Sequence, residues 1–507
     1  MDDLFRLLPR SENQARSLAQ YALDFVGGVF PPPDDRVLQR TELFHLDSIA
    51  CGVSAIARRT NAPTVLRQEA LDFAAREPHL GCYVFGSAQA VVPEKAIVAN
   101  CAAVREWDSN GTNFGYNPAR GATKGEFGHN DFYPVPIAAA QLAGLDGRTT
   151  LLGMVALDEI RGRLAEVFSL KDHKIDHVVH GAIASTAVFG ALLGATVAQI
   201  ESAIGLFVAH YIPFRAIRAG RQLSDSKGAS AALSTEAAIL SMRRALRGFV
   251  GPADIFRNRE ALFCLFEPPC QKNESPFDLA LATHGGDFAV MGMHFKLGLY
   301  EHQSAGAIQG LLDLLEHHPG LLEDPGQLGA VRIKIYEPAF SIIGDPAKRD
   351  PRTRQSADHS MVYIVATLLR KAFERRETSW QALMLLPSDY DDAALFHPLT
   401  RQLMQKIDFQ HGGPEYDAKY PDGIPTSLEI EHVRLGRLSS GLVMYPVGHA
   451  RNTSGQEVAL LEHKFQSLAR LGVDEPSRLY ERFARLGEKT AEQIGKLYDF
   501  DIKLGPD

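Results

Sequence analysis

The sequence contains few cysteines and no excess of positive charge. Its five cysteines, Cys51, Cys82, Cys101, Cys264 and Cys270, form no C-x-x-C pair, which argues against a disulfide framework, a zinc ribbon and a cysteine-ligated iron–sulfur cluster. We therefore expect a reducing compartment and assign the protein to the cytoplasm. The 53 Lys and Arg face 61 Asp and Glu, a net charge of −8, and this balance argues against a nucleic-acid or anionic-membrane partner.

Sequence motifs of several common enzyme classes are also missing. There is no P-loop and no G-x-S-x-G elbow, and the stretch 111–128 lacks the spacing and preceding strand of a dinucleotide-binding fingerprint. Residues 1–14 are mixed in charge without a long apolar run, so we expect neither a secretory signal nor a transit peptide. The 45% apolar and 22% charged residues are typical of a globular chain.

One stretch, residues 178–200, contains no charged side chain and is long enough to span a bilayer. It is rich in Ala, Gly, Ser and Thr rather than Leu and Ile, and it includes His180 and Gln199. Small residues allow other helices to approach closely, and a helix that is apolar all round is usually buried. We therefore predict a buried helix and no membrane partner.

Apolar periodicity predicts helices through the first 270 residues. Pro93 occupies the favoured first position of one helix, and Thr196 with Gln199 fits a capping box ahead of another. Residues 150–168 and 228–246 have apolar side chains at helical spacing. This pattern predicts a large helical domain over residues 1–270.

The pattern changes after Pro268. The alternation in VRIKIY, residues 331–336, predicts a half-buried strand. Alternation from Leu428 and the run LVMY at 442–445 predict a hairpin. Helices are predicted at 356–371, 455–471 and 476–497. The fold class is therefore mainly α, with the helical domain, a smaller α+β domain over residues 271–450, and C-terminal helices of residues 451–507 returning to the first domain.

The segment 108–134 is rich in Gly, Asn and Pro, which predicts a long loop. Long loops in compact proteins often bind ligands, although the composition also fits a solvated surface loop. Its polar side chains are Asp108, Thr112, Arg120, Lys124, His129 and Asp131.

The segment 171–181 places His173, His177 and His180 at i, i+4 and i+7. On a helix, His173 and His177 would share a face, as in a two-histidine metal site. The glutamate of H-E-x-x-H is missing, so a helix-entry loop with surface histidines is the alternative.

A third segment, residues 214–232, is basic: Arg215, Arg218, Arg221 and Lys227 accompany one acid, Asp225. Lys227 stands at the predicted start of a helix, where ammonium and backbone N–H groups can both hold an anion. A solvated basic face is the alternative. A fourth segment, residues 297–306, is a polar helix start with the side chains Tyr300, Glu301, His302, Gln303 and Ser304.

These segments, taken in order, resemble the MmgE/PrpD family, which contains 2-methylcitrate dehydratase and cis-aconitate decarboxylase. The matching stretches are spread over most of the chain. They are FHLDSIACGVSA at 44–55, Asp108-x-x-x-Thr112 with GHNDFYPVP at 128–136, IDHVVHGAIASTAVFGALLG at 175–194, SDSKGASAA at 224–232, GFVGPADIF at 248–256 and TRQSADHSMVYIVA at 353–366.

The resemblance implies a helical main domain with an α+β lid, a homodimer, and a site without metal or other cofactor that takes a small tricarboxylate. Family active-site positions fall on Asp108, Thr112, His129 and Lys227. His177 matches a fifth position, for which Asp176 or His180 is the alternative. His302, from the lid, is a sixth match.

The implied reaction is dehydration of 2-methylcitrate, or a close tricarboxylate, to 2-methyl-cis-aconitate in the methylcitrate cycle of propionate catabolism. The sixteen residues between Thr112 and His129 look more like the dehydratase than the decarboxylase side of the family. We predict four catalytic residues, in which a histidine is the base and the other histidine or Asp108 is the acid, and six substrate-binding residues. The catalytic residues are Asp108, His129, His177 and Lys227. The substrate-binding residues are Thr112, Arg120, Lys124, Arg215, Arg218 and His302.

Three alternatives stay open on the sequence. The first is a cis-aconitate decarboxylase-like lyase that uses the same pocket. The second is a metal hydrolase built on His173, His177 and His180. The third is a non-catalytic family member that binds a tricarboxylate.

Overall fold

The computed structural model describes residues 4–113, 115–122, 128–218 and 222–505. Its first part is mainly helical, as predicted, and each strand in it belongs to a two-stranded ladder. The helices are α1 (Gln14–Val26), α2 (Asp35–Ala57), α3 (Asn61–Asp72), α4 (Pro93–Arg105), α5 (Pro134–Ala143), α6 (Gly147–Val167), α7 (Val178–Leu192), α8 (Val197–His210), α9 (Asp225–Leu246) and α10 (Leu262–Phe266). The strands are β1 (Phe5–Leu8), β2 (Cys82–Tyr83), β3 (Ala90–Val91), β4 (Thr112–Asn113), β5 (Gly128–His129) and β6 (Leu279–Ala282).

Helix α7 lies at the centre of this first part. Every one of its residues is buried, and it packs against α6, α8 and α9. Gly181 has no room for a side chain, since a Cβ there would lie 2.0 Å from the ring of Phe132. The predicted capping box of Thr196 and Gln199 is present at the start of α8. Within the described ranges, none of the helices is long and apolar enough to cross a membrane.

The second part combines helices with a four-stranded sheet in the order β10-β9-β7-β8. Strand β7 pairs parallel with β8 and antiparallel with β9. Its helices are α11 (Ala305–His317), α12 (Ala339–Ile342), α13 (Arg354–Ala357), α14 (Met361–Arg375), α15 (Trp380–Leu383), α16 (Asp392–Leu395), α17 (Pro398–Met404) and α18 (Pro414–Asp417). Its strands are β7 (Leu328–Ile335), β8 (Ile407–His411), β9 (Thr426–His432) and β10 (Gly436–Ser439).

The predicted strand at 331–336 is confirmed as β7, whose Val331, Ile333 and Ile335 are buried. The predicted hairpin partner is wrong in position. Strand β9 turns directly into β10 over 433–435, and of the run 442–445 Val443 makes an isolated bridge to Thr426. Because the turn is short, residues 436–439 pair with β9. The more apolar run 442–445 therefore lies outside this ladder.

The C-terminal helices are α19 (Glu457–Ala469), α20 (Pro476–Phe483) and α21 (Ala491–Gly495). Helix α19 packs on α2 of the first part, where the buried Lys464 Nζ lies 2.6 Å from Asp47 Oδ1. The continuous helix predicted at 476–497 is wrong. Ala484 is extended and Arg485 has a left-handed φ of 51°, and a helix cannot continue through these conformations.

Several elements from both parts end beside one another. Helix α4 ends at Arg105, and the chain then passes through Asp108 with a φ of 51° into the short β4–β5 ladder. In that ladder Thr112 lies opposite His129. The N-terminal ends of α7 and α9 and several side chains between residues 301 and 359 of the second part meet at the same place. This meeting point is where the candidate site lies.

Candidate active site

A cavity of about 740 Å³, including its mouth, lies between the two parts of the chain. The first part lines it with Arg105, Asp108, Thr112, His129, His177, Arg215, Arg218, Leu223 and Lys227. The second part lines it with Glu301, His302, Gln303, Ile342, Ile343, Lys348 and His359.

Eight of the ten side chains predicted from the sequence lie on this cavity, although they come from distant segments. They are Asp108, Thr112, His129, His177, Arg215, Arg218, Lys227 and His302.

The structure does not bring Arg120 to the cavity. This side chain is exposed, and its guanidinium carbon lies 3.5 Å from the centre of the Phe5 ring. The short turn over Pro118–Arg120 directs it to that surface. Lys124 lies outside the described residues.

Asp108 is buried at the base of the cavity and is surrounded by positive charge. Its Oδ1 accepts hydrogen bonds from Arg105 and, at 2.5 Å, from Lys296 Nζ. Lys227 Nζ lies 3.6 Å and His359 Nε2 3.0 Å from Oδ2. Burial opposes ionisation of Asp108, but the neighbouring cations hold its pKa well below the ordinary value. Asp108 is therefore an anion that fixes cations in place, and it is not a donor of protons.

Two neutral histidines, His129 and His177, face each other with ring centres 5.1 Å apart. Burial is the main reason that the pKa of each lies well below the usual value, and Arg105 lowers both further. His177 has an additional partner, since its Nδ1 lies 3.4 Å from Asp176 Oδ1. His177 Nε2 accepts from no described residue. A neutral imidazole with a carboxylate on one nitrogen is suited to take a proton on the other.

Asp176 also holds Arg218, whose Nε lies 2.5 Å from Asp176 Oδ2. Burial opposes its ionisation, but Arg218 and His177 keep the pKa of this carboxyl low. The same carboxylate therefore fixes a cavity arginine and a cavity histidine.

The three histidines proposed as a metal site do not share a helix face. Lys174 has a left-handed φ of 60°, and α7 begins only at Val178. His173 pairs with Glu267 at 3.0 Å, and His180 hydrogen-bonds the carbonyl of Phe168 at 3.0 Å. The helical spacing assumed for this metal-hydrolase alternative is therefore wrong. A left-handed residue inside an i, i+4 pattern is not visible in residue types alone.

A different trio, Asp108, Asp358 and His359, places three donor atoms within 4.8 Å of one another. Lys227 Nζ donates to Asp358 Oδ1 at 2.8 Å, and Lys296 Nζ donates to Asp108 Oδ1. These ammonium groups already neutralise the carboxylates, so the trio fits a divalent cation poorly.

Several groups of the site are not among the residues predicted from the sequence. Arg105 ends the helix before Asp108, Lys296 precedes the polar segment 297–306, and His359 lies inside the matching stretch 353–366. The i, i+3 spacing of Arg105 and Asp108 was the available signal. No sequence signal pointed to Lys348, which ends the short turn Pro346–Lys348 and lines the cavity.

Cationic side chains outnumber carboxyl side chains in the described lining of the cavity. Among the described residues, the carboxyl side chains are Asp108 and Glu301. The cationic ones are Arg105, Arg215, Arg218, Lys227 and Lys348. Cationic groups placed in a partly desolvated cleft attract and orient anions. This arrangement can therefore bind an anionic molecule, and its neutral histidines can take up protons.

Models of a known family match both parts of the chain. The MmgE/PrpD N-terminal domain matches residues 16–272, and the MmgE/PrpD C-terminal domain matches residues 300–484. The chain belongs to the MmgE/PrpD family.

Curated relatives named 2-methylcitrate dehydratase are similar to this chain at low identity. The 2-methylcitrate dehydratase of Salmonella typhimurium is 25% identical over 340 residues, 66% of this chain and 66% of that protein. That of Escherichia coli K12 is 25% identical over 319 residues, 62% of each chain. The mitochondrial 2-methylcitrate dehydratase of Yarrowia lipolytica is 26% identical over 332 residues, 63% of this chain and 60% of that protein. Each match spans slightly less than two thirds of the relative's own length.

Proposed function

We propose that this protein is a lyase that removes water from 2-methylcitrate, or a close tricarboxylate, to give 2-methyl-cis-aconitate. The observation that carries the proposal is the cavity in which five cationic side chains and two neutral histidines meet. The relatives named 2-methylcitrate dehydratase support the same substrate class. The place of the reaction in propionate catabolism through the methylcitrate cycle is part of this proposal.

The substrate carries three carboxylates and a tertiary hydroxyl, and each requires a partner. Lys227, Arg215 and Arg218 are proposed to bind carboxylates, the lysine as a point charge and Arg218 through the N–H groups that do not donate to Asp176. Lys227 lies at the first turn of α9, where backbone N–H groups add positive potential. His302 and Thr112 complete the binding surface.

The base is proposed to be His177. It takes the proton from the methyl-bearing carbon while the C–O bond on the neighbouring carbon breaks and the double bond forms. A bound trianion favours the protonated imidazole and so raises the pKa of His177 toward a useful value. Asp176 then stabilises the imidazolium, and the cavity cations stabilise the charge that spreads onto the substrate carboxylate.

An apolar wall favours the methylated substrate over citrate. Leu223, Ile342 and Ile343 lie on the cavity beside the cationic groups, and Leu223 and Ile343 are buried. A carboxylate or hydroxyl would lose hydration against this surface without a hydrogen-bond partner, whereas a methyl group gains contact.

The direct test is a turnover screen with purified protein and 2-methylcitrate, citrate, isocitrate and cis-aconitate as separate substrates. Ultraviolet absorbance and mass spectrometry of the products then separate the reactions. We expect an alkene tricarboxylate with loss of water from 2-methylcitrate. Itaconate from cis-aconitate would instead identify a decarboxylase, and binding without turnover of any acid would identify a non-catalytic member.

Replacing Ile342 by serine is expected to reduce the preference for 2-methylcitrate over citrate. The side chain is partly exposed to the cavity, so the change is not a core substitution. One methyl group in an apolar pocket is worth about 10–200-fold in kcat/KM, and we expect a loss near the lower end of that range for 2-methylcitrate. Citrate, which lacks the methyl, is the control substrate, and equal losses for both acids would contradict the role of this wall.

A further inference from the structure

Elimination of water needs a proton donor for the departing hydroxide. The groups that the sequence analysis offered for this role are poorly suited in the folded chain. Asp108 is held as an anion by Arg105 and Lys296. His129 and His177 are neutral, because burial lowers the pKa of both, and a neutral imidazole has little tendency to give up its proton. A group that is already close to protonation before substrate binds is better suited to this role.

Lys227 is held by its partners. Its Nζ donates to Asp358 Oδ1 at 2.8 Å and lies 3.6 Å from Asp108 Oδ2. Loss of its proton would remove the ammonium that neutralises the buried Asp358 carboxylate, which is costly. Lys227 is better suited to hold a substrate carboxylate than to donate a proton.

Glu301 is positioned for the task by three features of its surroundings. Its backbone N–H donates to the carbonyl of Asp358 at 2.9 Å, and its Oε2 accepts from the Gln303 N–H at 2.9 Å. Its Oε1 has no hydrogen-bond partner in the described part of the chain, and the residue lines the cavity. One carboxyl oxygen is thus fixed by the protein, and the other is left for a ligand.

The surroundings also raise the pKa of this carboxyl close to neutral pH. Burial and the negative charge of Asp108 raise its pKa, while Lys296 and Lys348 lower it, and the net result is a pKa of about 7. A bound trianion adds further negative charge, which raises the pKa of Glu301 again. Substrate binding would therefore favour the protonated form of Glu301. A carboxylic acid with a pKa near the working pH is an efficient proton donor.

We propose that Glu301 is the catalytic acid that protonates the departing hydroxyl. This inference rests on the proposed dehydration. The electron pair of the broken C–H bond forms the carbon–carbon double bond, and the pair of the C–O bond leaves with oxygen. The Glu301 proton joins that oxygen to give water. His177 then carries the proton taken from carbon, Glu301 is left as a carboxylate, and exchange with solvent restores both groups without another reactant.

The test is the variant Glu301→Gln. Glutamine has nearly the same size and is neutral, as the protonated acid is, but it cannot supply the proton. We expect kcat to fall by about 100-fold or more, with KM changed only a few-fold. Wild-type kcat/KM should decline as pH rises through about 7, where Glu301 loses its proton, and the variant should lack this decline.

A matched control is Glu166→Gln. Glu166 is another partly buried carboxyl, with a pKa raised by burial to about 6, but it pairs with Arg163 outside the cavity. We expect wild-type kinetics from it. A substrate analogue with fluorine in place of the hydroxyl separates acid catalysis from a structural role, because fluoride leaves with less help from a proton. The Glu301→Gln defect should shrink on that analogue.

The outcomes distinguish the two proposals. A Glu301→Gln enzyme with wild-type kcat and an unchanged pH profile overturns the role of Glu301 and leaves the dehydratase intact. An equal defect on the fluoro analogue also overturns it, and points to positioning instead. If the wild-type protein eliminates water from none of the acids, the proposed function fails and this inference fails with it. Binding of propane-1,2,3-tricarboxylate, measured by calorimetry, checks that the variant is folded.

Discussion

Replacing His177 by alanine is expected to lower kcat for 2-methylcitrate by about 10²–10⁴-fold, the range typical of a lost general base. The imidazole lies on the cavity beside Asp176, the carboxylate that would stabilise it once protonated. KM should change much less, because the carboxylate-binding cations Lys227, Arg215 and Arg218 stay in place. Steady-state kinetics with 2-methylcitrate provide the measurement.

The matched control is His173→Ala. His173 belongs to the same histidine-rich segment, but it pairs with Glu267 away from the cavity. We expect wild-type kinetics from this variant. A large loss from His173→Ala, or wild-type kcat in His177→Ala, would contradict the assignment of His177 as base. Hydrogen–deuterium exchange at the methyl-bearing carbon, followed without net turnover, gives an independent readout of the base.

Replacing Asp108 by asparagine is expected to reduce both stability and activity. The side chain is 1% exposed and sits among Arg105, Lys296 and Lys227, so its removal leaves buried cations without their anion. Loss of one partner of a buried ion pair costs about 3–5 kcal/mol. Denaturant unfolding measures this loss, and kcat/KM should fall because Lys227 loses a fixed partner.

The stability difference should also depend on pH. Because the folded pKa of Asp108 lies well below its usual value, its contribution is present above the ordinary Asp pKa and is lost as pH falls toward the folded one. The difference in unfolding free energy between wild type and Asp108→Asn should therefore become smaller at acidic pH. The control is Asp474→Asn at an exposed pair with Lys503, where we expect little change. A gap that stays constant with pH would contradict the buried-anion role.

Local features of the fold were predictable from the sequence. Pro93 does begin a helix, the Thr196 capping box is formed, and β7 shows the predicted alternation. These features depend on a few neighbouring residues. Breaks caused by a single backbone conformation, at Lys174 and Arg485, were not predictable, because either residue type is also common within helices.

The site was predictable where a polar segment carried its own signal. His129, His177 and Lys227 lie in such segments and do line one cavity. Lys296 and Lys348 approach from the second part of the chain, and sequence neighbours do not show which distant carboxylate a lysine will meet. The domain boundaries at 270 and 450, the homodimer, the absence of a cofactor and the cytoplasmic compartment stay predictions.

The proposed function requires this cavity to eliminate water across the methyl-bearing carbon of a tricarboxylate. Proton NMR of 2-methylcitrate incubated with the purified protein measures this reaction. We expect the methyl doublet, split by the neighbouring C–H, to be replaced by the singlet of an alkene methyl, and His177→Ala to slow this change. A doublet that persists unchanged beside folded wild-type protein would rule out the proposed function.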